Sequence, residues 1–238
     1  MAADMSPAAS GGFPPHLVEG YKVFLDGRFR SEQARFRNLA IKGQKPTTMV
    51  IGCCDSRVAP EAIFDAGPGE LFVLRNVAAL VPPYEPDDHF HGASAALEYA
   101  IMALEVQHVV VLGHGKCGGV KAFAQITVDP ETPRLSHSDF IGDWIKMLGP
   151  AIERVGGRPD PEDPAYLQKL EFESIKLTLD HLRSFPMVQI LERRGFLHLH
   201  AAYFSVMDGK LLALDEASGD FRPVADDAHA AALKESRS

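Results

Sequence analysis

Three shortages in this chain each rule something out. Cysteine is scarce, three in 238 residues, and two of the three are adjacent, Cys53 and Cys54. Three thiols cannot close a disulfide framework, and a neighbouring pair rarely bridges to itself, so clustered Cys and His in a reducing compartment point instead to metal or catalysis. Basic tracts are missing: 24 Lys and Arg stand against 32 Asp and Glu, a net charge of −8. That balance excludes nucleic acid and an anionic membrane as partners. Long apolar runs are missing too, since none approaches the roughly 20 residues that span a bilayer. The opening MAADMSPAASGGFPPH has no basic segment followed by an apolar one, so it is no secretory signal. A soluble, cytoplasmic protein is expected.

What is present has an order to it. Residues 1–14 are expected to be a disordered leader and 223–238 a mobile acidic tail, with a single folded domain over 15–222. That domain opens with a helical arm, 15–42, whose apolar positions Leu17, Val18, Tyr21, Phe24, Leu25, Phe36 and Leu39 predict two short helices broken near Asp26-Gly27. TTMVIGC (47–53), ELFVLRNVA (70–78) and QHVVVLGH (107–114) have the pattern of buried strands. Helical segments alternate with them at 59–67, 91–106 and from Cys117 onward. The alternation predicts an α/β fold with a mostly parallel central β-sheet flanked by helices. Residues 138–184 are mostly helical around the loop 156–164. FLHLHAAYFSVMDGKLLALDE (196–216) predicts two strands joined at Asp208-Gly209, so a helix-plus-hairpin extension closes the chain.

Two clusters follow strand ends: CCDSR at 53–57 and HGKC at 114–117. Open parallel sheets place their sites there. Zinc takes thiolate and imidazole ligands in a tetrahedron, and a catalytic site gives three positions to protein. His114 and Cys117, separated by two residues on a Gly-rich turn, can converge on one ion, with a third ligand from the other strand end. Successive residues of an extended segment face opposite ways, so Cys53 and Cys54 cannot both face one metal, whereas Cys53, Asp55 and Arg57 share a side where the segment stays extended. A cysteine in an apolar strand is more often a small core residue than a ligand. The pairing of the two clusters outweighs this for Cys53 and Cys117, but Cys54 keeps the core reading.

CCDSRV, RNVAALVPPY, HGASAALEYA and GHGKCGGV, in that order, resemble the successive signatures of the β-class carbonic anhydrases. The resemblance runs from about Leu17 to the end of the hairpin. It implies a single Zn2+ per chain on Cys53, His114 and Cys117, and reversible hydration of carbon dioxide to bicarbonate and a proton by zinc-bound hydroxide. It places an Asp–Arg pair on Asp55 and Arg57, and substrate-channel residues on Gln44, Phe72, Val77, Tyr99 and Gly118. It further implies a homodimer or a dimer of dimers, with the channel at a subunit interface. Three positions depart from the usual pattern: Cys54 stands where Ser or Ala is common, Gly115 where Ser or Thr is, and Val50 where the bicarbonate-regulated subgroup has Trp.

In that setting Asp55 accepts a hydrogen bond from the nucleophile or else closes the metal itself, and Arg57 holds its carboxylate off the metal by a bidentate pair. Two thiolates leave the centre less positive than three imidazoles would, so activity is expected to rise with pH through about 8. A phosphate loop is excluded because Gly118 precedes Gly119 and Val120 rather than Lys and Ser or Thr. A thiol oxidoreductase is excluded because no C-x-x-C is present. A non-catalytic zinc protein, with Asp55 as fourth ligand, and hydrolysis of carbon disulfide or carbonyl sulfide stay open.

Overall fold

The computed structural model describes residues 12–87 and 89–235, with side chains through residue 230. Most of the expected leader and the last three residues therefore lie outside the described residues. The chain divides into two compact units, Met1–Gln44 and Lys45–Ser238.

In the first unit, helix α1 (Pro15–Phe24) runs into α2 (Arg30–Lys42) through a π-helical turn over Leu25–Phe29. The break expected at Asp26-Gly27 is therefore absent. A glycine inside a helix costs only about 1 kcal/mol relative to alanine, and packing offsets it. The wider π turn brings residues five apart onto one side, so Phe24 meets Phe29 with ring centroids 5.8 Å apart. Phe36 closes the cluster at 6.0 and 5.4 Å from the two. Gly43, at φ 80°, ends α2.

The second unit is built on six strands: β1 (Thr48–Cys53), β2 (Leu71–Asn76), β3 (His108–His114), β4 (His198–Phe204), β5 (Leu211–Asp215) and β6 (Asp220–Pro223). Their order in the sheet is β2-β1-β3-β4-β5-β6. The first four are parallel, and β5 and β6 add antiparallel. β6 extends the anticipated hairpin by one strand. The expected tail carries a helix, α10 (Asp226–Glu235), whose first-turn Asp226 and Asp227 suit the positive end of its dipole.

Between and after the parallel strands come α3 (Pro60–Ile63), α4 (Gly92–Glu98) continued by a π turn over Tyr99–Ala103, α5 (Gly118–Val128), α6 (Phe140–Ile145), α7 (Gly149–Val155), α8 (Pro164–Arg183) and α9 (Pro186–Arg193). β1 and β3 are short apolar runs because both their faces are covered. On one face Met49, Ile51, Val109 and Val111 pack against Leu97, Ile101, Leu179, Leu182 and Val188 from α4, the π turn, α8 and α9.

α8 matters most for the site. Pro164 occupies its first turn and the Asp163 side chain caps the Ala165 amide at 2.9 Å. Leu170, Ile175, Leu179 and Leu182 are buried, yet so are Glu171, Ser174 and Thr178. Spaced three and four apart, those polar residues form one stripe along the helix. Ile175 presses so closely on β3 that a Cβ at Gly113 would sit 2.5 Å from its side chain, which is why glycine precedes His114.

Candidate metal centre

The register pairs Gly52 of β1 with Leu112 of β3. Cys53 and His114 therefore leave the sheet beside each other, one residue and two residues further on. After His114 the chain turns at Lys116, held at φ 57°, and Cys117 becomes the cap of α5. One atom each from Cys53, His114 and Cys117 lies within 4.8 Å of the other two, and all three residues are buried. Cys54, expected in the core, is exposed instead. It occupies the opposite side of the extended segment, just past the end of β1.

The donor set suits a metal. His114 is 2 % exposed, and its Nδ1 lies 3.0 Å from the Gly115 carbonyl. A carbonyl only accepts, so Nδ1 carries the proton and Nε2 presents a lone pair. That Nε2 is buried and has no hydrogen-bond partner. An orphaned acceptor facing two thiols is costly unless a cation takes it. A hydrogen bond from Cys117 pulls Cys53 down to about 4 against its burial, with His114 assisting. Cys117 is pushed up by donating that bond and by burial. Burial alone would push His114 down, but Cys53 beside it outweighs this and raises it. Two sulfurs and one imidazole are the ligand types zinc prefers, and three protein ligands leave a tetrahedral position open.

Asp55 stands at the edge of this corner, its Oδ2 4.0 Å from His114 Nε2. The segment does not stay extended past Cys53. It turns, with the Val58 amide donating to the Asp55 carbonyl, and Arg57 folds back. Arg57 donates from Nε to Oδ1 at 2.9 Å and from Nη2 to Oδ2 at 2.7 Å, and its amide donates to Oδ1 at 3.0 Å. The guanidinium holds the Asp55 carboxyl well below the usual carboxylate range. Arg57 also reaches the Lys116 carbonyl at 3.2 Å, tying the two strand ends together.

Several supporting residues were invisible in the linear pattern. Arg75, near the end of β2, donates to the carbonyls of Cys53 and Asp55 at 2.8 and 2.7 Å. The Ala78 amide donates to the Cys53 sulfur at 3.4 Å, in a turn where Ala78 and Ala79 both take positive φ. Glu171, 4 % exposed, accepts from the Cys117 amide and from Tyr203. A Cβ at Gly115 would meet Tyr203 Oη at 2.7 Å, which accounts for glycine at that position. The only forewarning was a charged residue ending an apolar strand, Arg75, and an acidic residue on an otherwise apolar helix face, Glu171.

The residues assigned to a channel separate into groups. Val77 lies beside Gly119, close to Cys53 and Cys117, with its carbonyl accepting from Trp144 Nε1 at 2.9 Å. Gly118 lines a cavity of about 570 Å³ together with Gly115, Cys117, Glu171 and Tyr203. Phe72 and Tyr99 pack on each other with centroids 5.9 Å apart. However, Phe72 is registered with Met49, whereas Asn76 is registered with Cys53. Four residues of strand, about 13 Å, separate that pair from the metal corner. Gln44 is the exposed last residue of the first unit.

A family pattern described as carbonic anhydrase matches residues 48–211. The chain is 33% identical over 196 residues to β-carbonic anhydrase 3 of Arabidopsis thaliana, covering 81% of this chain and 73% of that one. Among solved structures it is similar to the β-carbonic anhydrase CcaA, with a TM-score of 0.76, 31% identity and coverage of 87% and 90%. It also resembles a tetrameric β-carbonic anhydrase of Sordaria macrospora, with a TM-score of 0.67, 22% identity and coverage of 88% and 95%. With its sheet and most of its length accounted for in this way, the chain belongs to the β-class carbonic anhydrases and is a carbonate dehydratase.

Proposed function

We propose that this enzyme holds one zinc ion on Cys53, His114 and Cys117 and hydrates carbon dioxide reversibly to bicarbonate and a proton. The observation that carries the reading is the buried His114 Nε2, without a partner and gathered with two sulfurs. Bound there, zinc supplies a Lewis acid that makes hydroxide available near neutral pH.

The chain's own residues do the rest. Asp55, with both oxygens engaged by Arg57, is kept from closing the open position. Asp55 would accept a hydrogen bond from the nucleophile and so orient it toward the substrate carbon. Arg57 keeps the carboxylate ionised and in place. Val77 offers an apolar surface to a small linear substrate. Phe72, at the far end of β2, and Tyr99, packed on it from the π turn after α4, would line the channel of a partner subunit, and Gln44 would donate to a product oxygen. That division of labour requires a homodimer or a dimer of dimers, and the Sordaria macrospora relative is described as tetrameric. Among the described residues no helix is long and apolar enough to cross a membrane. Two ligands that work as thiolates fit a reducing cytoplasm.

Stopped-flow carbon dioxide hydration by protein of counted zinc content, at pH 7 and pH 8.5, tests the proposal. Activity at both values is expected. Activity confined to pH 8.5 would mean that Asp55 occupies the metal at neutral pH. A full complement of zinc with no hydration at either value would overturn the reading in favour of a structural metal.

A further inference from the structure

β3 begins and ends with histidine. His114 belongs to the metal corner, but His108 lies about 20 Å away along the strand, at the opposite end of the sheet. On β4 the sequence His198-Leu199-His200 puts two more imidazoles on one face, because alternate strand residues point the same way. The parallel register sets His108 opposite His198 and Val110 opposite His200. Three imidazoles thus gather on adjacent strands. His108 Nδ1 and His200 Nε2 are 3.1 Å apart. The His198 ring stacks on His108, with centroids 5.4 Å apart and planes inclined by 28°. His198 and His200 are exposed and His108 is half-buried.

The spacing is that of two ligands on one ion. With metal–nitrogen bonds of about 2.0–2.1 Å, neighbouring nitrogens in a tetrahedral or square arrangement lie about 2.9–3.4 Å apart. Without an ion, one imidazole donates to the other, and a second proton on the pair would be repelled. Desolvation, then the nearness of His108 and His198, pushes His200 below its ordinary value, which keeps a ligating lone pair available. Glu216 also acts on His200 but is itself paired with Arg183 at 2.7 Å.

We propose that His108 and His200, with His198 beside them, form a second metal site that bridges β3 and β4 and takes a late first-row divalent cation such as Ni2+, Cu2+ or Zn2+. Imidazole nitrogen selects these ions, whereas Mg2+ and Ca2+ require oxygen ligands. The site is separate from the proposed zinc centre and does not depend on that assignment. Its rival is the loop where His91 Nε2 meets Asp87 at 2.6 Å and His89 Nδ1 meets it at 3.2 Å. There the carboxylate is already shared by both rings.

The test is equilibrium dialysis of the zinc-loaded enzyme against Ni2+, with zinc counted before and after. One further equivalent of Ni2+ per chain is expected, without loss of zinc. In His108→Gln and His200→Gln, affinity for it should fall by more than the roughly 10–100-fold that loss of an outer partner costs a metal site. His91→Gln and Cys54→Ser should bind it unchanged, and carbon dioxide hydration should be the same in His108→Gln and His200→Gln as in the parent. In the parent protein, paramagnetic broadening of the His108, His198 and His200 imidazole resonances by Ni2+ checks the site without substitution. No further equivalent, or one that survives both His108→Gln and His200→Gln, overturns the proposal. Loss in His91→Gln with retention in His200→Gln also overturns it and places the ion on the 87–91 loop.

Discussion

Glu171 Oε1 accepts a 3.0 Å hydrogen bond from the backbone amide of Cys117, a residue 54 positions earlier in the chain. Its other oxygen accepts from Tyr203 Oη at 3.0 Å. The carboxylate thereby fixes the first turn of α5, on which one sulfur of the metal corner rides. Groups behind a ligand orient it, and their loss typically weakens metal affinity by about 10–100-fold. Glu171→Ala is expected to loosen zinc within that range. Glu171→Gln, which keeps an oxygen toward the amide, should hold it much better. Competition against a chelator measures both, and equal retention in the two variants would show that Glu171 does not position Cys117.

Arg57 grips both oxygens of Asp55. Arg57→Ala should lower turnover by at least about tenfold while zinc content stays at the parent value. Arg57→Lys should recover little, because a single ammonium cannot reproduce the fork. Zinc loss in Arg57→Ala would assign the pair a structural role instead.

The adjacent cysteines should separate cleanly. Cys53→Ser and Cys117→Ser are expected to lose zinc and activity together, whereas Cys54→Ser, at an exposed position, should keep both. Zinc per chain by atomic emission decides it, and a metal-free Cys54→Ser would move the ligand from one member of the pair to the other.

Gly115 and Tyr203 share one space, since a Cβ at the first would lie 2.7 Å from the hydroxyl of the second. Gly115→Ala should cost about 1–3 kcal/mol by overpacking, a fall in Tm of about 2–4 °C per kcal/mol in a chain of this size. Tyr203→Phe removes the obstructing oxygen, so the double variant should recover part of the loss. A thermal double-mutant cycle showing strict additivity would mean that the two residues do not compete.

The gathering of Cys53, His114 and Cys117 was legible because zinc chemistry restricts residue type, spacing and strand position at once. The parallel strands were legible because burial on both faces leaves unbroken β-branched runs. What escaped the linear reading depends on distance. Arg75, Glu171 and Tyr203 act on the corner from 20 to almost 90 residues away in sequence, and nothing next to them in sequence marks the destination. The Asp26-Gly27 break was misjudged because a π turn and three phenylalanines absorb the glycine. Cys54 was misplaced because alternation gives the face a residue points to but not whether anything covers it. Phe72 and Tyr99 pack on each other, but the register of β2 on β1 sets them a strand's length from the sulfurs of their own chain.

One helix face touches every part of the metal corner. From α8, Glu171 holds the Cys117 turn, Ile175 lies against Gly113 just before His114, and Thr178 Oγ1 donates to the Ala79 carbonyl at 3.4 Å. That last turn also contains the Ala78 amide that supports Cys53. The three proposed ligands therefore have a common backing rather than three separate ones. Local opening proceeds in cooperative blocks of structure, and here the block includes α8. With zinc held as proposed, escape of the ion and release of this helix would be a single event, so the rate of metal loss would read out the lifetime of a helix that contributes no ligand.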